Sequence, residues 1–212
     1  MEYLISAIIG YLLGSIPAAY LVMKKSAGID ISSAGSGNVG AMNSYEVSNS
    51  KIIGMLVLLL DALKGLLSVY IPLLIFGQIF IFPALSLLFA VLSHCYNPWL
   101  DFKGGRGLAA AAGGTILLFP ILPVLWILLW LIIYFVKKDI IFSNIWAIIM
   151  TLLIIFTSAN IAFKYTFPRA ESMSAMILFS AGILIIIFNR HLKPLKELLH
   201  NKDFFKLGKK DE

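Results

Sequence analysis

The sequence is poor in the residues that a soluble domain needs. Only 13% of its 212 residues are charged, while 60% are hydrophobic. Soluble globular domains carry about 25% charged residues and about half apolar ones, so this balance excludes one. Cysteine occurs once, at Cys95, which excludes an internal disulfide and any Cys-x-x-Cys motif. The three histidines, His94, His191 and His200, stand far apart in sequence, and neither a metal nor a cofactor is expected. A Walker GxxxxGK[ST] motif is missing, as is a Ser-His-Asp set in local sequence. No internal repeat is visible, which weighs against a transporter built from halves with matching interrupted helices. Nor is there a linker, so residues 1–212 are read as one domain. No nucleic acid and no obligate protein partner is expected.

Long apolar runs dominate instead. Seven can be marked, at residues 3–23, 52–76, 79–97, 107–119, 121–136, 140–159 and 173–188. The first lacks the basic leader and small-residue cleavage site of a signal peptide and is expected to stay as a helix. The reading is an all-α, polytopic membrane protein with seven transmembrane helices, some short or broken. Proline sterics leave open whether 107–136 forms one helix or two, because Pro120 and Pro123 could merely kink it. A single helix of about 30 residues would rise about 45 Å, more than a bilayer core requires. Charge favours two. With seven spans, 14 lysines and arginines fall on one side and only Lys164 and Arg169 on the other, Lys64 lying within a span. Six spans would divide them 7 against 9. The positive-inside rule then sets the N-terminus outside and a basic tail, about 190–212, in the cytoplasm. From Leu195 that tail reads as an amphipathic segment on an anionic leaflet.

Two glycine-rich loops fall on the cytoplasmic side. Ala34-Gly35-Ser36-Gly37-Asn38-Val39-Gly40-Ala41-Met42-Asn43 combines glycines, which let successive N–H groups converge on an anion, with compact side-chain donors. A plain interhelical loop is the equal alternative. Phe102-Lys103-Gly104-Gly105-Arg106-Gly107 sets two cations and three glycines directly before an apolar run. A helix N-terminus there would offer N–H groups and a positive dipole end to phosphate, and Arg can grip phosphate bidentately. The run Leu108 to Gly114, rich in small residues, predicts close helix packing, with a groove for an acyl chain as the alternative. Asp61 and Lys64 share a helix face inside the second run, as an ion pair, a functional pair or a snorkelling lysine. His94 reads as structural. His191, beside Arg190 after the last run, is the better candidate, being on the same side as both loops.

Taken in order, Gly14-Ser15-Ile16-Pro17, Gly35-Ser36-Gly37-Asn38-Val39-Gly40-Ala41 with Asn43, Leu60-Asp61 with Lys64-Gly65, and Phe102 to Gly107 resemble the PlsY family. Its members are bacterial membrane-integral acyltransferases that move an acyl group from acyl-phosphate to the 1-hydroxyl of glycerol 3-phosphate, giving lysophosphatidic acid. The resemblance covers most of the chain and is strongest over residues 10–115. It implies a multi-pass protein of the bacterial cell membrane with a cytoplasmic active site and a role in phospholipid synthesis. It also implies phosphate binding by Ser36, Gly37, Asn38, Asn43, Gly104, Gly105, Gly107 and Arg190. Lys103, Arg106, His191 and Ser143 would serve catalysis.

The chain departs from the family at three places. Three residues after Asn43 the family usually has Arg, and here stands Glu46. After the Arg-His pair it usually continues Arg-Glu-Asn, replaced by Leu192-Lys193-Pro194. Its Arg-Tyr-Val-Ser-Leu stretch is Asp139-Ile140-Ile141-Phe142-Ser143. Glu46 and Lys193 exchange signs relative to the family, and the expectation is a reversed pair facing across the cytoplasmic mouth. These departures leave open a homologue with a changed acceptor or lost activity, beside a small transporter of a phosphorylated solute.

Overall fold

The structure, a computed structural model, describes residues 1–200; the rest of the basic tail, with Lys202, Lys206, Lys209 and Lys210, lies outside the described residues. All regular elements among the described residues are helical. The first apolar run is two helices, α1 (Glu2–Gly14) and α2 (Ala18–Ala27), broken at Ser15-Ile16-Pro17. Pro17 has no N–H to continue the ladder, and the chain turns there, with Ile16 N–H on Leu13 O and Ala18 N–H on Ile16 O; side chains complete the break. Asn97 Nδ2 donates to Ser15 O at 2.8 Å, and Lys64 Nζ to Ile16 O at 2.9 Å. Trp99 Nε1 donates to Ser15 Oγ. The break is thus held by side chains from two distant parts of the chain.

A short α3 (Ala41–Ser48) leads into α4 (Lys51–Phe76), whose N-terminus is capped by Ser50. Next come α5 (Ile81–Cys95), α6 (Leu108–Leu118) and α7 (Ile121–Lys137). The stretch 107–136 is therefore two helices, interrupted at Phe119 and Pro120. After α7 follow α8 (Ile140–Thr157), capped by Asp139, the single turn α9 (Ala159–Ala162) and α10 (Met173–His200). Five helical stretches are long and apolar enough to cross a bilayer: Glu2–Ala27, Lys51–Phe76, Ile81–Leu100, Ile140–Thr157 and Met173–His200. Helices α6 and α7, of 11 and 17 residues, are apolar but shorter. Length and apolarity alone thus select five of the seven expected spans.

The small residues decide how these helices meet. A Cβ on Gly10 or Gly14 would collide with the Ser86 or Ala90 carbonyl of α5. On Gly65 or Gly113 it would collide with the Ala110 carbonyl of α6 or the Ala62 carbonyl of α4. Close backbone approach, favoured by small residues in membranes, therefore defines the α1–α5 and α4–α6 seams. Helices α7 and α8, joined by the turn at Lys138–Asp139, lie side by side, and α10 packs on α5 and α8. The main core, with Leu87, Leu118, Phe119, Met176 and Ile183, fills the space between α4, α5, α6 and α10. A second cluster, with Met23, Ile31, Val39 and Val57, underlies the first glycine loop.

Candidate active site

Three segments meet at one end of the bundle: the loop between α2 and α3, the loop between α5 and α6, and the C-terminal half of α10. They enclose an open cavity of about 360 Å³. Ser32, Ser36, Gly37 and Asn38 line it from the first loop, Phe102, Lys103 and Arg106 from the second, and Asn189, Arg190, Lys193, Pro194 and Glu197 from α10.

Asn43 shapes the first loop from below. It is buried, and its Nδ2 donates to the carbonyls of Ala34 and Asn38 at 3.0 and 2.9 Å and, more distantly, to Ile31. Its Oδ1 accepts from the Ser36 N–H at 2.9 Å. The carboxamide is thereby occupied, and Asn43 holds the loop instead of lining the cavity. Gly35 and Gly37 have φ of +58° and +69°, values that side chains rarely adopt. The outcome is a loop that offers Ser36 and Asn38 to the cavity, with no hydrogen bond to either side chain among the described residues.

The second loop is shaped from behind by α5 and from the side by α10. The Gly105 N–H donates to His94 O at 3.1 Å, and a Cβ on Gly105 would strike the His94 ring. A Cβ on Gly104 would strike the His94 carbonyl. Arg190 Nη2 and Nε donate to the carbonyls of Gly104 and Gly105 at 2.9 and 3.1 Å. Its guanidinium also stacks over Tyr96, 5.3 Å from the ring centre. The Val39 N–H reaches Gly104 O at 3.4 Å and ties the two loops together. Gly104, Gly105 and Gly107, expected to present N–H groups to phosphate, do not line the cavity. The two central glycines admit close packing, and Gly107 caps α6 at φ +86° against Cys95, Val91 and Ile187. The cavity takes charge from this loop, not the N-terminus of α6.

Lys103 and Arg106 are different. Neither side chain has a hydrogen bond or ion pair among the described residues, and both face the cavity. Burial, with Arg190 nearby, lowers the Arg106 pKa from its ordinary value, while Glu46 and Glu197 oppose the shift. An arginine remains cationic under such a shift. With Arg190 and Lys193, four cations line the cavity against one carboxylate, Glu197, among the described residues.

Two expected catalytic residues stand elsewhere. Ser143 is buried and its Oγ donates to Asp139 O at 2.6 Å, one turn back in α8. His191 is buried on the α8 side of α10. Its Nδ1 lies 2.8 Å from Ile187 O and its Nε2 3.4 Å from Asn144 Nδ2. Both partners fit one neutral tautomer, Nδ1–H donating and Nε2 accepting. Neither residue lines the cavity. Glu46 and Lys193 form no ion pair; Lys193 lines the cavity and Glu46 acts at a distance on Arg106.

Of the lining groups, Ser32 and Glu197 were not singled out by the sequence, and Phe102 and Asn189 stood only within their segments, with no role assigned. For α10 a signal existed: Asn189, Lys193 and Glu197 recur every four residues and so share one helix face. Ser32 and Phe102 carry no such pattern.

The fold and this cavity define a class: a polytopic helical membrane protein with a cationic cavity at one end. The comparisons narrow it. The sequence model described as glycerol-3-phosphate acyltransferase matches residues 4–201. The glycerol-3-phosphate acyltransferase of Helicobacter acinonychis (strain Sheeba) is 36% identical over 211 residues, covering 94% of this chain and 92% of the relative. That of a Wolbachia of Culex pipiens is 30% identical over 203 residues, covering 96% and 98%. The crystal structure of PlsY, an integral membrane glycerol 3-phosphate acyltransferase, in its glycerol 3-phosphate form, is similar with a TM-score of 0.76. It is 31% identical and covers 94% of this chain and 92% of that one; the lysophosphatidic acid form gives 0.75. The chain belongs to the glycerol-3-phosphate acyltransferase family of integral membrane enzymes.

Proposed function

We propose that the cavity binds acyl-phosphate and glycerol 3-phosphate together and transfers the acyl group to the 1-hydroxyl, yielding lysophosphatidic acid. The observation that carries this is a set of donors facing the cavity with no partner among the described residues: Lys103, Arg106, Ser36 and Asn38. Phosphate oxygens are the complementary acceptors. A carboxylic-phosphoric anhydride is already activated, so holding both substrates and neutralising charge supply much of the catalysis. The hydroxyl oxygen attacks the acyl carbonyl carbon and the new ester bond forms. The bond from that carbon to the phosphate oxygen breaks, and phosphate departs with the electron pair. The hydroxyl proton ends on the released phosphate. Lys103 and Arg106 stabilise the charge that grows on the leaving oxygen. No protein nucleophile, cofactor or obligate protein partner is needed for these steps. Ser143 and His191 act in this scheme as supports of the α8–α10 contact.

The same reading sets the chain in a bacterial cell membrane with seven spans, α6 and α7 included, its N-terminus outside and the cavity cytoplasmic. The bias of basic residues supports that orientation. So does the convergence on one cavity of three segments expected on one side.

Purified protein should convert acyl-phosphate and labelled glycerol 3-phosphate to lysophosphatidic acid. Absence of product with this acceptor, together with product from another polyol phosphate, would point to a changed acceptor. Reporter fusions at residue 2 and after residue 212 check the topology, and two ends on one side would refute seven spans.

A further inference from the structure

Behind the cavity, away from every group assigned to the reaction, lies a second polar cluster. Asp61 and Lys64 of α4 and His94 of α5 are 3%, 5% and 6% exposed. Lys64 Nζ is 3.0 Å from Asp61 Oδ1, an ion pair without hydrogen-bond angles, and His94 Nδ1 is 3.6 Å from the same oxygen. Charges inside a membrane protein are costly, and pairing lowers the cost. Lys64 and Asp61 alone would meet that need. The cluster does more.

Two links leave it. One runs from Lys64 Nζ to Ile16 O at 2.9 Å, in the break between α1 and α2. Helix α2 leads from there to the loop of Ser36 and Asn38. The other runs through His94, whose ring lies against Gly105 and whose carbonyl accepts the Gly105 N–H at 3.1 Å. One end of the cluster therefore touches the second loop directly, the other reaches the first through α2, and the Val39 N–H to Gly104 O bond closes the circuit between the loops. We infer that Asp61, Lys64 and His94 form a positioning network that sets the spacing of the two phosphate-binding loops. The inference rests on the acyltransferase reading for its kinetic consequences, though its geometry does not depend on the acceptor.

None of the three lines the cavity, so each acts through the loops. The experiment uses the full-length purified protein, with inorganic phosphate as a binding probe and acyl transfer as the second readout. His94→Leu removes the polar ring and keeps an apolar volume, whereas His94→Gln keeps a donor within reach of Asp61. For His94→Leu that still folds, phosphate affinity should fall about fivefold and kcat about tenfold. His94→Gln should recover to within about threefold of the parent. A folded His94→Leu protein with parental phosphate affinity and kcat overturns the network.

Asp61→Asn combined with Lys64→Gln removes both charges together and gives a second reading, with the same loss expected. If every one of these variants fails to fold, the cluster is a fold-stabilising element and the positioning role is overturned. Should the parent bind phosphate yet make no lysophosphatidic acid, the acyltransferase reading fails by itself. The network is then judged on phosphate affinity alone.

Discussion

The two faces of α10 carry similar residue types and use them in opposite ways. Toward the cavity, Lys193 and Glu197 stand among side chains such as Lys103 and Arg106, whose donors have no partner among the described residues. Toward α8, His191 and the neighbouring Ser143 are buried and hydrogen-bonded. Arg190 lies between these extremes: it lines the cavity but gives two donors to the glycine loop. The lesson is that chemical type does not separate a binding group from a supporting one. What separates them is whether hydrogen-bonding capacity is already filled.

That contrast can be broken experimentally. The largest effect is expected at the unpartnered cations. Arg106→Ala and Lys103→Ala should each lower kcat/KM at least about tenfold, or about 1.4 kcal/mol of transition-state stabilisation. The double variant should lose more, because in the proposed reaction two phosphates would share the same charges. Full activity in both single variants would reduce this loop to topogenic charge.

Next comes Asn43→Ala, which strips the first loop of its internal fastening and orphans the carbonyls it serves. Stability should fall by about 1–3 kcal/mol, read as a lower melting temperature in detergent, together with weaker phosphate binding. Retained melting temperature and binding would mean that the loop holds itself.

At the α8 face, Ser143→Ala should change kcat/KM by less than about threefold, since its hydroxyl serves its own helix. A loss of tenfold or more would place Ser143 in the chemistry and erase the distinction between the faces.

The smallest change is expected for Glu197→Gln. Removing the single lining carboxylate should tighten phosphate binding by about twofold, because an exposed charge is screened. Weaker binding would show that Glu197 receives a hydroxyl or proton instead.

Most of the architecture could be read from the chain before any coordinates. The long runs follow from apolarity and the two helices of 107–136 from the bias of basic residues, whereas the break at Pro17 was not foreseen, the first run having been expected as one helix. Close packing at Ala109–Gly114 follows from side-chain size. Lys103 and Arg106 could be singled out as two cations beside glycines before an apolar run, and both line the cavity, though topogenic charge fits the same pattern. What could not be read was direction. His191 and Arg190 are adjacent in sequence yet face different neighbours, and only the contacts of α10 with α8 and with the Gly104–Gly105 carbonyls distinguish them. The same holds for Asn43, whose partners lie up to 12 residues back in the chain. The expected Glu46–Lys193 pair failed because charge signs carry no distance.

The break in the first helix also has a temporal side. The Ser15 carbonyl is made early, but its donor, Asn97, comes 82 residues later in the chain, and Lys64, which joins the Ala18 N–H on the Ile16 carbonyl, comes 48 residues later. During synthesis the break gains its side-chain fastenings only as the fourth helix and then the end of the fifth arrive. The chain thus carries an order of assembly in its hydrogen bonds, and the last donor to arrive is followed within ten residues by Lys103 and Arg106. The scaffold is fastened just as the groups it supports are being made.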